Sequence, residues 1–181
     1  MPVSWHSPAE VEHLCEQTKD WLLNTGSLTE RLQALTSSFE VDLLGQSLLE
    51  MDASEQRLLS PKHHQKWQIR EVVLRGANNQ NPNKQNAMQH DWVFARSVLP
   101  DELCRSTWAN LGSQPLGQRI FNDASFVRSE FEIGQLRYHP ISREDFSKQD
   151  YWARRSKFTI DTFELIVAEA FLPDSPCYWR S

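Results

Sequence analysis

The run Trp67-Gln68-Ile69-Arg70-Glu71-Val72-Val73-Leu74 cannot form a strand without turning a charge to each side. Side chains alternate between faces along a strand. One face carries Trp67, Ile69, Glu71 and Val73; the other carries Gln68, Arg70, Val72 and Leu74. Whichever face meets a core brings an arginine or a glutamate with it, and periodicity leaves the two as equal candidates. A lone buried charge is costly, so it must pair, change protonation or meet a ligand.

Two further strand-like runs repeat the pattern. In Trp92–Leu99, Arg96 shares a face with Trp92, Phe94 and Val98. In Leu165–Leu172, Glu169 shares a face with Leu165, Val167 and Phe171. Two arginines and one glutamate on apolar faces fit a polar centre inside the core. They fit equally a buried ion pair that only organises a sheet, or a face left in solvent.

The rest of the chain places these strands in one α+β domain spanning 1–181. Ser7, Pro8 and Glu10 open a predicted helix, with a capping box, that runs to about Asn24-Thr25-Gly26. Ser27-Leu28-Thr29-Glu30 starts a second helix, expected to reach about Thr36. Residues 46–65 are ambiguous. Strands are expected at about 66–75, 91–99, 126–138, 153–160 and 164–172. A helix is expected over 101–110, and a short one near Ser113-Gln114-Pro115-Leu116. The Asn/Gln-rich stretch between Gly76 and His90 reads as a solvated hairpin loop, and 139–150 as another loop. Hairpin-length connections favour antiparallel pairing. A single antiparallel sheet with flanking helices follows.

Composition narrows the partners. The net charge of −5 weighs against nucleic acid, which favours a basic face. It does not exclude a small anion, because one arginine can grip a carboxylate whatever the total. Cys15, Cys104 and Cys177 are odd in number and widely spaced, which suits free thiols in a reducing cytosol. No signal-peptide pattern and no apolar stretch near the roughly 20 residues of a membrane span is present. The adjacent His63 and His64 have no third ligand at a useful spacing. The basic Trp152–Phe158 stretch reads as a solvated strand edge more readily than as an anion patch. Phosphate loops, nucleophile elbows and metal motifs are missing from the sequence. The helix starts at Leu28 and Leu116 offer backbone N–H groups that could face an anion. As single residues both leucines read equally as core anchors.

The ordered set Gly-Ser-Leu-Thr-Glu-Arg (26–31), Trp-Gln-Ile-Arg-Glu (67–71), Pro-Leu-Gly-Gln-Arg-Ile-Phe (115–121), Trp-Ala-Arg-Arg-Ser (152–156) and Glu-Ala-Phe-Leu-Pro (169–173) resembles the chorismate pyruvate-lyases of bacterial ubiquinone biosynthesis. The resemblance runs from about Trp21 to Tyr178. It implies a single antiparallel sheet with a buried ligand pocket. It also implies conversion of chorismate into 4-hydroxybenzoate and pyruvate without metal or organic cofactor, by a cytoplasmic monomer inhibited by its product. It assigns Arg70 and Glu169 as catalytic and as substrate contacts. Leu28 and Leu116 bind substrate through their amides, and Arg96 lies near the pocket. By the same resemblance Arg70 turns inward and Glu71 belongs to the other face. Glu169 is left with two roles, general acid or acceptor for the product hydroxyl. The rival reading is a non-catalytic aromatic-acid sensor, like the effector domains of GntR-type regulators.

Overall fold

Five strands of nine to twelve residues set the architecture, four of them rich in the β-branched and aromatic residues that suit a pleated, packed surface. The computed structural model describes residues 4–60, 65–77, 88–106, 108, 116–121, 123–137 and 150–179. It contains β1 (Trp5–His6), β2 (Glu40–Leu48), β3 (Trp67–Ala77), β4 (Gln89–Pro100), β5 (Val127–Arg128), β6 (Glu132–Arg137), β7 (Asp150–Ile160) and β8 (Phe163–Phe171). These form one antiparallel sheet in the order β1-β6-β7-β8-β4-β3-β2, with β5 also pairing β7. The helices are α1 (Glu16–Leu23), α2 (Leu28–Gln33), α3 (Ala53–Leu58), α4 (Asp101–Ser106) and α5 (Leu116–Phe121). The α+β, single-sheet expectation therefore holds.

The sheet has two differently used faces. On one, α1 and α2 bury Trp21, Leu22, Leu28 and Leu32 against Val72, Leu74, Ala95 and Phe171. On the same face α4 and α5 bury Leu103, Leu116 and Ile120 against Leu99, Phe158 and Leu165. The opposite face carries Ile69, Val98 and Ile166 beneath Leu58 and Leu59, at the end of α3. We call the first the helix-covered face.

Turn chemistry fixes which residues share it. β7 and β8 join through Asp161-Thr162, and Asp161 takes φ 49°, a conformation Asp tolerates better than most residues. This two-residue turn sets Ile160 opposite Phe163, and therefore Arg154 opposite Glu169 and Ser156 opposite Val167. A slip of one residue would send all of them to the other side.

Three local expectations change. The first predicted helix is broken: Pro8–Val11 forms a single 3-10 turn, and α1 starts afresh after Cys15, whose backbone is extended. The break lets Val11 and Trp21 enter the same apolar cluster. The ambiguous 46–65 region contains α3, capped by Asp52, which accepts from the N–H groups of Ser54 and Glu55 at 2.8 and 2.9 Å. Trp92 does not share the face of Phe94 and Val98. A bulge opposite Leu74 and Arg75 makes Trp92 the extra residue, and it packs with Val72, Leu74 and Val93. His63-His64, Ser113-Gln114-Pro115 and most of both long loops fall outside the described residues.

The bulge leaves Trp92 fully buried, edge-on to Trp179 at 5.8 Å. Its ring lies against Gly76, where a Cβ would come within 2.3 Å of ring carbons. Gly76→Ala is therefore expected to lower stability by about 1–3 kcal/mol through overpacking. Urea unfolding with an unchanged slope and a lower midpoint checks this.

Candidate active site

Residues directly opposite one another across successive strands form rungs. One rung of the helix-covered face reads Gln46, Arg70, Ser97, Val167, Ser156 across β2, β3, β4, β8 and β7. The next reads Val72, Ala95, Glu169, Arg154, Ile133 across β3, β4, β8, β7 and β6. Arg70 and Glu169 are thus on one face, two strands and one rung apart. Strand spacing and rise put their Cα atoms about 12 Å apart. Glu71 belongs to the other face, opposite Arg96.

Arg70 is 2% exposed. Its Nη1 donates to the neutral amide oxygen of Gln46 at 3.1 Å. Burial pulls its pKa below the ordinary arginine value, and only the thiolate form of Cys104 would oppose this. The same burial pushes Cys104 up to about 11, with Asp101 adding to the rise and Arg70 resisting it. Cys104 at neutral pH is therefore an uncharged neighbour and does not neutralise Arg70. A desolvated guanidinium in such surroundings favours an added carboxylate.

Glu169 is held differently. Arg154, also 2% exposed, donates through Nε to Glu169 Oε2 at 2.7 Å. Its Nη1 donates to the carbonyls of Trp21 (3.0 Å) and Asn24 (2.8 Å), at the end of α1. One guanidinium thereby caps unsatisfied helix carbonyls and orients the carboxylate. Arg154 also lies 4.7 Å from the centre of the Phe131 ring, and Arg128 lies 4.4 Å from it. The Trp152–Phe158 stretch is thus an interior strand with buried arginines, and not the solvated edge expected of it.

The starts of α2 and α5 meet over this face. Leu28 and Leu116, the first residues of each, are buried in the two apolar clusters on either side of the Arg70 rung. Ser27 caps α2 by accepting from the N–H of Glu30 at 3.3 Å. Gly117 lies so close to Thr29 that a Cβ would be 3.1 Å from its hydroxyl. Four of the five sequence-predicted residues are therefore on one face: Arg70 and Glu169 on the sheet, Leu28 and Leu116 in the helices covering it.

The chorismate lyase family profile matches residues 1–181. The chain belongs to the chorismate lyase family. Its sequence is 36% identical, over 183 residues, to the probable chorismate pyruvate-lyase of Pseudoalteromonas atlantica, covering 97% of this chain and 90% of that protein. It is 31% identical over 182 residues to the chorismate pyruvate-lyase of Proteus mirabilis, covering 98% and 93%. Among solved structures, the effector domain of PhnF from Mycobacterium smegmatis is similar with a TM-score of 0.50 and 17% identity, covering 84% of this chain and 91% of that one. That likeness shows the fold alone.

The fifth residue is elsewhere. Arg96 points to the opposite face, where Nε and Nη2 donate to Glu55 at 2.7 and 3.3 Å and Nη1 to Glu71 at 2.8 Å. Burial works against its charge, but the two carboxylates outweigh it and raise its pKa above the ordinary arginine value. Its neighbour on that face, Arg155, pairs with Glu132 at 2.7 Å and donates to Ser54 at 3.1 Å. The residue that sequence reasoning missed on the helix-covered face is Arg154. Its signal was a charge opposite Glu169 once the β7–β8 turn is counted.

No helix among the described residues is long and apolar enough to cross a membrane. The described residues also contain no cluster of three or more His, Cys, Asp or Glu able to hold a metal.

Proposed function

We propose that this protein is a chorismate pyruvate-lyase that supplies 4-hydroxybenzoate for ubiquinone biosynthesis, binding substrate on the helix-covered face. The observation that carries the reading is the placement of Arg70 and Glu169 on one helix-covered face, two strands and one rung apart, in a chain of this family.

Chorismate is a cyclohexadiene with a ring carboxylate, a hydroxyl and an adjacent enolpyruvyl ether. The ether C–O bond breaks, the ring carbon bearing the hydroxyl loses its hydrogen, and the enolpyruvyl fragment gains a proton on its methylene carbon. The products are 4-hydroxybenzoate and pyruvate, and no external oxidant or reductant is needed. Aromatisation drives the step, so the protein's task is to hold the ring and favour charge on the leaving oxygen.

Arg70 takes the ring carboxylate, in a fork contact that a lysine could not reproduce. The amides of Leu28 and Leu116 approach the same group from the covering helices. Glu169 meets the ring hydroxyl at the far end. Its ion pair with Arg154 supports the acceptor role of the two the sequence leaves open. The apolar walls around Val72, Ala95 and Val167 exclude water from the ring.

Incubation of the purified protein with chorismate is expected to release 4-hydroxybenzoate and pyruvate in equal amounts, without added metal. Binding of 4-hydroxybenzoate with no turnover would replace the lyase reading with that of a sensor.

A further inference from the structure

Ser156 is 3% exposed, and its hydroxyl has no hydrogen-bond partner among the described residues. Buried hydroxyls are nearly always bonded, and an orphan carries an uncompensated desolvation cost. This one is on the helix-covered face, in the same rung as Arg70. It is opposite Val167, and so diagonal to Glu169, two residues along β8. Its own strand neighbour on that face is Arg154, which is committed to Glu169 and to the end of α1.

The proposed reaction needs a hydrogen-bond donor that Glu169 does not supply. When the ether bond breaks, negative charge develops on the enolpyruvyl oxygen, attached to the ring carbon next to the one bearing the hydroxyl. With the ring carboxylate at Arg70 and the hydroxyl at Glu169, that oxygen lies beside the Glu169 end of the ring. The ion-paired Glu169 is an acceptor there. A neutral hydroxyl donor next to it, without a partner among the described residues, fits the remaining need.

We infer that Ser156 is a catalytic residue of this site, donating its hydroxyl hydrogen to the enolpyruvyl oxygen as that oxygen takes on charge. The inference rests on the lyase reading above. Ser156 loses no proton. The bond pair of the broken C–O bond goes to the enolpyruvyl oxygen, and the hydroxyl stabilises it until the methylene carbon is protonated. The donor acts on the departing fragment, so it contributes to the transition state and little to binding of 4-hydroxybenzoate, which lacks that fragment.

Ser156→Ala tests this with three measurements. Turnover of chorismate is expected to fall by about tenfold to a hundredfold in kcat. The dissociation constant for 4-hydroxybenzoate is expected to stay within about twofold. The thermal midpoint is expected to hold or rise, because the change removes an unpaired buried hydroxyl. Unchanged kcat overturns the inference. So does a parallel loss of product affinity and stability, which would mark Ser156 as a packing residue. Wild-type protein that never converts chorismate would instead refute the lyase reading, and the role of Ser156 with it.

Discussion

Arg70→Met is expected to abolish most turnover while leaving the fold as stable as before, or more so. The loss follows from the site's burial. A ligand carboxylate brought to this face leaves water, and without the guanidinium it stays there uncompensated. Truncating one partner of a buried, hydrogen-bonded charge pair costs about 2–5 kcal/mol, which is roughly a 30- to 4,000-fold fall in kcat/KM. Arg70→Lys should restore only part of this, because an ammonium provides charge without the planar fork. Stability behaves oppositely. The largest influence on the Arg70 charge is desolvation, which disfavours it. Replacing it with an apolar side chain of similar length relieves that cost and gives up its polar contacts, the 3.1 Å bond to Gln46 among them. Chorismate kinetics together with urea unfolding check both halves. A variant that keeps near-normal kcat/KM would remove Arg70 from the site.

The same residue shows how far sequence could reach. The alternation around Arg70 established that one charge of the pair Arg70-Glu71 must turn inward. Its choice depended on the family resemblance, and the pairing of Glu71 with Arg96 shows why. Both faces of β3 are covered by apolar side chains, so neither charge had an obvious solvent side. The alternation of Arg96 with Phe94 and Val98 holds in the structure; its place near the pocket came from the resemblance alone, and the face of the sheet it joins depends on tertiary pairing of β4 with β3 across a long connection. The Trp92 bulge then shifts alternation within β4 itself. Helix α3 was missed although Asp52-Ala-Ser-Glu55 is a capping pattern, because only six helical residues follow the cap and no periodicity develops. Arg154 was missed for a different reason. Alternation turns one of the consecutive arginines to each side, but nothing local reveals that β7 is interior and that both sides are covered.

The placement of Arg96 leads to an opposite prediction: Arg96→Met should unfold the protein easily and leave the chemistry of the folded fraction alone. Arg96 is the main charge partner of Glu55, whose side chain is 7% exposed. Glu55 also accepts from the N–H of Asp52 at 2.9 Å, so one carboxylate closes the α3 cap and ties α3 to the sheet. Removing the arginine leaves that carboxylate buried and unpaired, a loss of about 3–5 kcal/mol. For a domain of this size, with a total stability of about 5–15 kcal/mol, that is a large fraction. Glu71 is half-exposed and can turn to water, so it adds little to the penalty. Because the defect is the orphaned charge, Arg96→Met combined with Glu55→Leu should recover most of the loss, short of about 1 kcal/mol for the weakened cap. In urea unfolding, the single variant should shift the midpoint strongly and the double variant only slightly. Under native conditions, kcat and KM for chorismate normalised to folded protein should match the unsubstituted chain, since Arg96 and the Arg70–Glu169 face lie on opposite sides of the sheet. A drop in kcat at full folding would instead return Arg96 to the pocket.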